Sequence, residues 1–161
     1  MPEELTLRSA IEFAIKTERQ GAKLYGWLAK LFGGHAELGE TFAGLARDET
    51  VHGDRFAALV AELSDDRPVG VEQRDYVRAL LDAEVFFLFR NIERIQQRDD
   101  ALERALQLEK STLLRYEAMR ELLGAHPILE QIIAEERRHV VQIMKHLMTG
   151  ARLRGLDDEY P

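Results

Sequence analysis

Four long segments of this 161-residue chain place apolar residues at alternating spacings of three and four, the period of an α-helix that buries one face. In the middle of each segment, a glutamate takes a position of the pattern where an apolar residue is expected. The second segment is the clearest example; its positions are Phe42, Leu45, Glu49, His52, Phe56, Leu59 and Leu63. The pattern therefore predicts four helices that pack into one bundle, with a polar layer at mid-length.

The lengths of the connections predict how these helices are joined. We expect helices over about residues 6–32, 38–63, 99–124 and 127–150, with short glycine-containing turns inside the first pair and the second pair. Short turns make antiparallel neighbours, whereas the crossover at about 64–98 is long enough to traverse the bundle and to contain a short helix over 75–95. The predicted fold is all-α: a single ferritin-like four-helix domain over residues 1–161, its bundle at about 6–148, formed by two antiparallel hairpins.

Composition excludes several classes of function. The net charge of −7 argues against nucleic acid as a partner, because phosphate binding needs a basic face. The absence of cysteine rules out disulfides and thiolate ligands within the chain. No apolar run is long enough to cross a membrane, and the first residues lack the features of a signal peptide, so a cytoplasmic protein with no membrane partner is expected.

Oligomerisation is suggested by an aromatic cluster in the crossover, formed by Phe86, Phe87 and Phe89. The cluster is either a dimer surface or the packing of the crossover against its own bundle. We expect a homodimer.

The four core glutamates predict a metal site. Each buried, isolated carboxylate costs several kcal/mol, whereas two divalent cations would balance four carboxylates. A histidine lies three residues after two of the glutamates, on the same helix face, so each pair can reach one ion. Carboxylate and imidazole ligands suit iron or manganese, and zinc also fits. The candidate ligands are Glu18, Glu49, His52, Glu109, Glu136 and His139.

An internal repeat strengthens this prediction. The unit Ala14-x3-Glu18-x6-Tyr25 recurs as Ala105-x3-Glu109-x6-Tyr116, and a Glu-x-x-His pair follows each unit. The chain therefore resembles two related hairpins, each of which supplies half of a two-metal site.

Four further residues have two readings each. Tyr25 and Tyr116 either hydrogen-bond ligand carboxylates and take part in redox steps, or are core tyrosines with satisfied hydroxyls. Asp48 and Glu135 directly precede ligand glutamates and are either partners of the site or parts of a solvated helix flank.

Together, the segment TERQGAKLY at 17–25, the two Glu-x-x-His pairs and the second Glu-x6-Tyr unit resemble the rubrerythrin family. The resemblance covers about residues 6–148. It implies that the six candidate residues bind two iron ions and that Glu49 and Glu136 bridge them. In that family the di-iron centre reacts with hydrogen peroxide or dioxygen, and some relatives oxidise and store iron.

Two departures from the family affect the expected function. Thr112 stands where rubrerythrins proper carry an extra ligand glutamate, and the missing cysteines exclude an internal rubredoxin-type iron site. Electrons must then come from an external donor protein or from Fe(II) itself. We expect a non-haem di-iron oxidoreductase, a peroxidase or ferroxidase, that oxidises Fe(II), reduces peroxide or dioxygen, or does both. The alternatives are an iron-storage or iron-buffering protein and a structural bundle that holds zinc.

Overall fold

The computed structural model describes residues 6–63, 79 and 89–157, and four long helices account for nearly all of them. The helices are α1 (Leu7–Leu31), α2 (Ala36–Glu62), α3 (Arg98–Leu123) and α4 (Pro127–Asp157), with a short 3-10 helix at Ile92–Arg94 before α3. The predicted all-α four-helix bundle is confirmed. None of the described helices combines the length and the apolarity needed to span a membrane.

Local sequence signals mark two of the helix ends. Thr6 begins α1 with a capping box, in which its hydroxyl accepts from the Ser9 amide at 3.1 Å and its own amide donates to the Ser9 hydroxyl at 2.9 Å. Gly124 ends α3 at a φ of 71°, a backbone region that favours glycine. The prediction that α4 ends near Gly150 was wrong, because one glycine destabilises a helix by only about 1 kcal/mol and good helix formers follow it.

The contacts between helices give the direction of each chain segment. Side chains pair Glu18 with Tyr116 and Glu109 with Tyr25, so α1 and α3 are antiparallel. The turn at 32–35 makes α1 and α2 antiparallel as well, so α2 and α3 run in the same direction. The crossover predicted between α2 and α3 stays a prediction. Most of the predicted crossover, with the helix expected over 75–95 and the side chains of Phe86 and Phe87, lies outside the described residues.

Two apolar clusters fill the bundle, one on each side of the polar layer. Both clusters draw buried side chains from all four helices, and each contains one of the two repeat tyrosines. The first cluster includes Ile11, Phe56, Leu59, Tyr116, Met119, Leu129 and Ile132. The second includes Leu24, Tyr25, Leu28, Phe42, Leu45, Leu102, Leu108 and Ile143. The polar side chains between them are consequently shut off from solvent at both ends.

Candidate metal centre

The four helices bring all six predicted ligands into one buried layer. Small and large apolar residues share the inward faces of the helices, and each helix also buries one glutamate there. Each of the six residues is at most 4% exposed; they are Glu18, Glu49, His52, Glu109, Glu136 and His139.

The potential ligand atoms form two overlapping groups, each of three carboxylates and one imidazole. Within each group, one ligand atom from every residue lies within 4.8 Å of the others. The first group contains Glu18, Glu49, His52 and Glu136, and the second contains Glu49, Glu109, Glu136 and His139. Glu49 and Glu136 belong to both groups. This is the position expected of carboxylates that bridge two ions.

Several buried atoms of the layer have no hydrogen-bond partner among the described residues, although each such atom would normally be paired. They include both carboxylate oxygens of Glu136, Oε2 of Glu18 and Nδ1 of His52. Nδ1 of His52 lies 2.9 Å from Oε1 of Glu136, yet the two atoms do not meet with hydrogen-bond geometry. Unpaired acceptors that converge in a dry interior are what a divalent cation would satisfy, so this donor set fits a metal pair.

The two tyrosines connect the halves of the repeat. Tyr25 on α1 donates to Oε1 of Glu109 on α3, and Tyr116 on α3 donates to Oε1 of Glu18 on α1. Their rings pack against the apolar clusters; Tyr25 stacks on Phe42. Burial and the neighbouring carboxylates raise the pKa of both hydroxyls well above the ordinary value. Both hydroxyls therefore stay protonated at neutral pH and hold one carboxylate each.

The outward ring nitrogens of the two histidines also have partners. Nε2 of His52 lies 2.8 Å from Oε2 of Glu135, and that same oxygen accepts from Nη1 of Arg55 at 2.7 Å. Nε2 of His139 lies 3.2 Å from Oδ2 of Asp48. Asp48 and Glu135 are thus partners of the site and not merely solvated flanks. A carboxylate on the outer nitrogen fixes the tautomer and orientation of a metal-binding histidine.

Burial and the neighbouring charges raise the pKa values of four of the six candidate ligands, so these groups tend to stay protonated in the metal-free protein. Burial alone would lower the pKa of His52 and of His139, but the neighbouring carboxylates outweigh burial and raise these values to about 10 and about 11. Burial, reinforced by the carboxylate of Glu136, raises the pKa of Glu109 to about 8, and burial and Glu18 raise that of Glu49. Because metal ligands must be deprotonated, binding of metal would release these protons.

Gly21 provides the space in which the Glu49 carboxylate lies. It is buried on α1 one turn after Glu18, and a Cβ atom added there would come within 2.7 Å of Oε2 of Glu49. Gly53 on α2 offers a comparison, since an added Cβ would lie 3.5 Å from Cβ of Glu18, an ordinary contact. The periodicity of the sequence could not distinguish the two glycines, because the difference depends on how closely α1 and α2 approach at each site.

We expect Gly21→Ala to reduce metal affinity without unfolding the protein. The added methyl group would push the Glu49 carboxylate aside, which a flexible side chain tolerates until a metal requires it in place, while alanine favours the helix by about 1 kcal/mol. Gly53→Ala is the matched control and should retain wild-type affinity. Calorimetric metal titration and thermal melting of both variants check this. Equal metal affinity in the two variants would contradict it.

Thr112 lies one turn after Glu109 on the inward face of α3 and is 3% exposed. It therefore faces the polar layer, at the position where rubrerythrins proper have an extra ligand glutamate. Its hydroxyl cannot replace the negative charge of a carboxylate, so the two groups of ligands described above contain all the carboxylates that the layer supplies in the described part of the chain.

The chain was compared with curated proteins, with solved structures and with models of protein families. No match to the chain is found among curated proteins or among solved structures. The rubrerythrin family model matches residues 9–140, a range that extends from α1 into the first half of α4 and contains every one of the six candidate ligands. With most of the chain matched, and with the paired carboxylate and histidine groups in its core, the protein belongs to the rubrerythrin family.

Proposed function

We propose that this chain is a non-haem di-iron oxidoreductase that reduces hydrogen peroxide or dioxygen, or oxidises Fe(II), at the site between its four helices. The observation that carries the proposal is the overlap of two ligand groups at Glu49 and Glu136. Two separate sites would not share these carboxylates. We further propose that residues 1–161 act as one domain, and that iron is the metal.

The six ligand residues would hold the two ions in a layer closed by apolar clusters above and below. His52 and His139 present their Nδ1 atoms to the layer and are oriented by carboxylates on their outer nitrogens. Tyr25 and Tyr116 hold one oxygen of Glu109 and one of Glu18. The second oxygen of Glu18 has no hydrogen-bond partner among the described residues, and that of Glu109 lies 3.3 Å from Nδ1 of His139. The clusters exclude bulk water, which strengthens every electrostatic contact inside.

Two Fe(II) ions bound there would supply two electrons, which with two protons reduce one hydrogen peroxide molecule to two molecules of water. The chain offers no thiolate relay to replace those electrons, because it contains no cysteine. An external electron donor protein, or fresh Fe(II), must therefore complete each cycle. The redox role predicted for the two tyrosines remains part of this proposal.

The expected result is a single rapid cycle that then stops. Protein loaded anaerobically with Fe(II) should consume about one peroxide per chain, as read from optical absorption, and then stall until an electron donor is added. Dioxygen is tested separately, and the ratio of the two rates identifies the preferred oxidant. Glu136→Ala serves as the control that lacks both metal positions. Sustained turnover without a donor would refute the stalled cycle, and inertness toward both oxidants would refute the oxidoreductase.

A further inference from the structure

The two halves of the metal centre are alike in their ligands but differ in the groups behind the histidines. Behind His52 lies Glu135, whose side chain is 24% exposed and which also pairs with Arg55 at 2.7 Å. A second guanidinium, that of Arg138, lies 3.5 Å from the other oxygen of Glu135. This carboxylate is held from three sides.

Behind His139 lies Asp48, whose side chain is 57% exposed. Within the part of the chain that the structure describes, His139 is its sole ion-pair partner, and the distance between them is longer, 3.2 Å against 2.8 Å. Comparison of the two halves of the internal repeat shows which cation the Asp48 side lacks. Arg55 follows His52 by three residues, and the residue that follows His139 by three is the exposed, uncharged Gln142.

This difference bears directly on metal affinity. Removing the outer partner of a metal-binding histidine typically weakens metal binding by about 10–100-fold, because the ring loses its fixed orientation and part of its basicity. A solvated carboxylate without a supporting cation orients its histidine less firmly, since surface ion pairs contribute little and are screened by salt. Asp48 is also the more exposed of the two outer carboxylates, at 57% against 24% for Glu135, so the centre is more open to solvent behind His139 than behind His52.

We propose that the two metal positions are inequivalent: the His52 position binds its metal more tightly, and the His139 position fills last and exchanges its metal with solvent through the Asp48 side. The inference rests on the proposed two-metal function. It assigns positioning roles to Glu135 and Arg55 on the His52 side. On the His139 side, it places Asp48 on the route by which metal exchanges with solvent.

The test is a titration of the metal-free protein with Mn(II), in which the electron paramagnetic resonance signal of free Mn(II) counts the ions that remain unbound. The wild-type chain should bind two ions in two steps. His52→Ala should remove the tight step and His139→Ala the weak step, which identifies the positions. Glu135→Gln should weaken the tight step by about 10–100-fold, and Arg55→Gln should weaken it less. Asp48→Asn should change the weak step alone.

A gain-of-function variant keeps the test independent of damage to the fold. Gln142→Arg places a guanidinium beside Asp48, as Arg55 stands beside Glu135. The metal affinity of the weak step should therefore rise toward that of the tight step, and metal exchange should slow. Two ions bound with equal affinity in the wild type, or a tight step that survives Glu135→Gln, would overturn the inequivalence but leave the proposed function intact. Fewer than two ions per wild-type chain would overturn both.

Discussion

Glu136→Ala is expected to abolish binding of both metal ions, whereas His139→Ala should lose only one. Glu136 belongs to both ligand groups, and neither of its buried oxygens has a hydrogen-bond partner among the described residues. Since loss of an outer partner alone typically weakens metal binding by about 10–100-fold, loss of a shared ligand should exceed about 100-fold for both ions. Glu49→Ala should behave like Glu136→Ala, and His52→Ala like His139→Ala.

Elemental analysis and metal titration of the four variants give the answer. Glu136→Gln is the size-matched control, because it removes the charge without opening a cavity. In metal-free form Glu49→Ala should fold at least as well as the wild type, because burial and the neighbouring carboxylates disfavour its charged form. Glu136→Ala instead removes a carboxylate that pairs with His52 and His139, so its metal-free form should be less stable than that of Glu49→Ala. A histidine variant that loses both ions while Glu136→Ala retains both would reverse the assignment of the bridges.

Removal of metal should lower the melting temperature by about 10 °C at neutral pH. Binding at a free-metal concentration of about 1,000 times Kd stabilises by about 4 kcal/mol, and each kcal/mol shifts the melting temperature of a domain of this size by about 2–4 °C. Equal melting temperatures with and without saturating metal would contradict the expectation that metal binds only to the folded chain.

That difference should widen as the pH rises from about 5 to 8. The pKa of Glu109 rises from 4.5 to about 8 on folding, so its contribution to metal-free stability is complete below 4.5 and is lost as the pH rises through 8. His52 and His139, with pKa values raised from 6.5 to about 10 and about 11, contribute fully below 6.5 and also lose stability as the pH rises. Metal binding strengthens over the same interval, because its ligands must shed protons.

Thermal melting of the metal-free and metal-saturated protein at several pH values checks the trend. Glu109→Gln is the control, because it removes the titrating carboxylate from the layer. The metal-free form of that variant should lose less stability between pH 5 and 8 than the wild type does. A metal-free wild type that becomes more stable over this range would show that the sign is wrong.

Helical periodicity was sufficient to predict the elements and the inward faces, because burial of one face repeats with the turn of the helix. Phe42, Leu45 and Phe56, predicted on these faces, are fully buried. The same periodicity predicted that the four glutamates lie in one layer; three of them lie near the middle of their helices, and Glu136 lies about one third of the way along α4. The repeat anticipated the pairing of the two halves, which the crossed contacts of Tyr25 and Tyr116 display.

Contacts that depend on the separation and rotation of two helices could not be predicted this way. Nothing in the sequence distinguished Gly21, which accommodates the Glu49 carboxylate, from Gly53, which does not. Arg55 was likewise missed as a support for Glu135, because the two residues lie on different helices 80 positions apart. The only sequence signal was its spacing of three residues after His52.

The number of metal ions per chain tests the central claim most directly. The protein is loaded with Fe(II) without oxygen, freed of excess metal and analysed for iron and protein together. Two overlapping ligand groups predict two iron ions per chain, and X-ray absorption should place them about 3.5–4 Å apart, as in other two-metal sites. A single iron per chain, or none, would contradict the assignment of this layer as a di-iron centre.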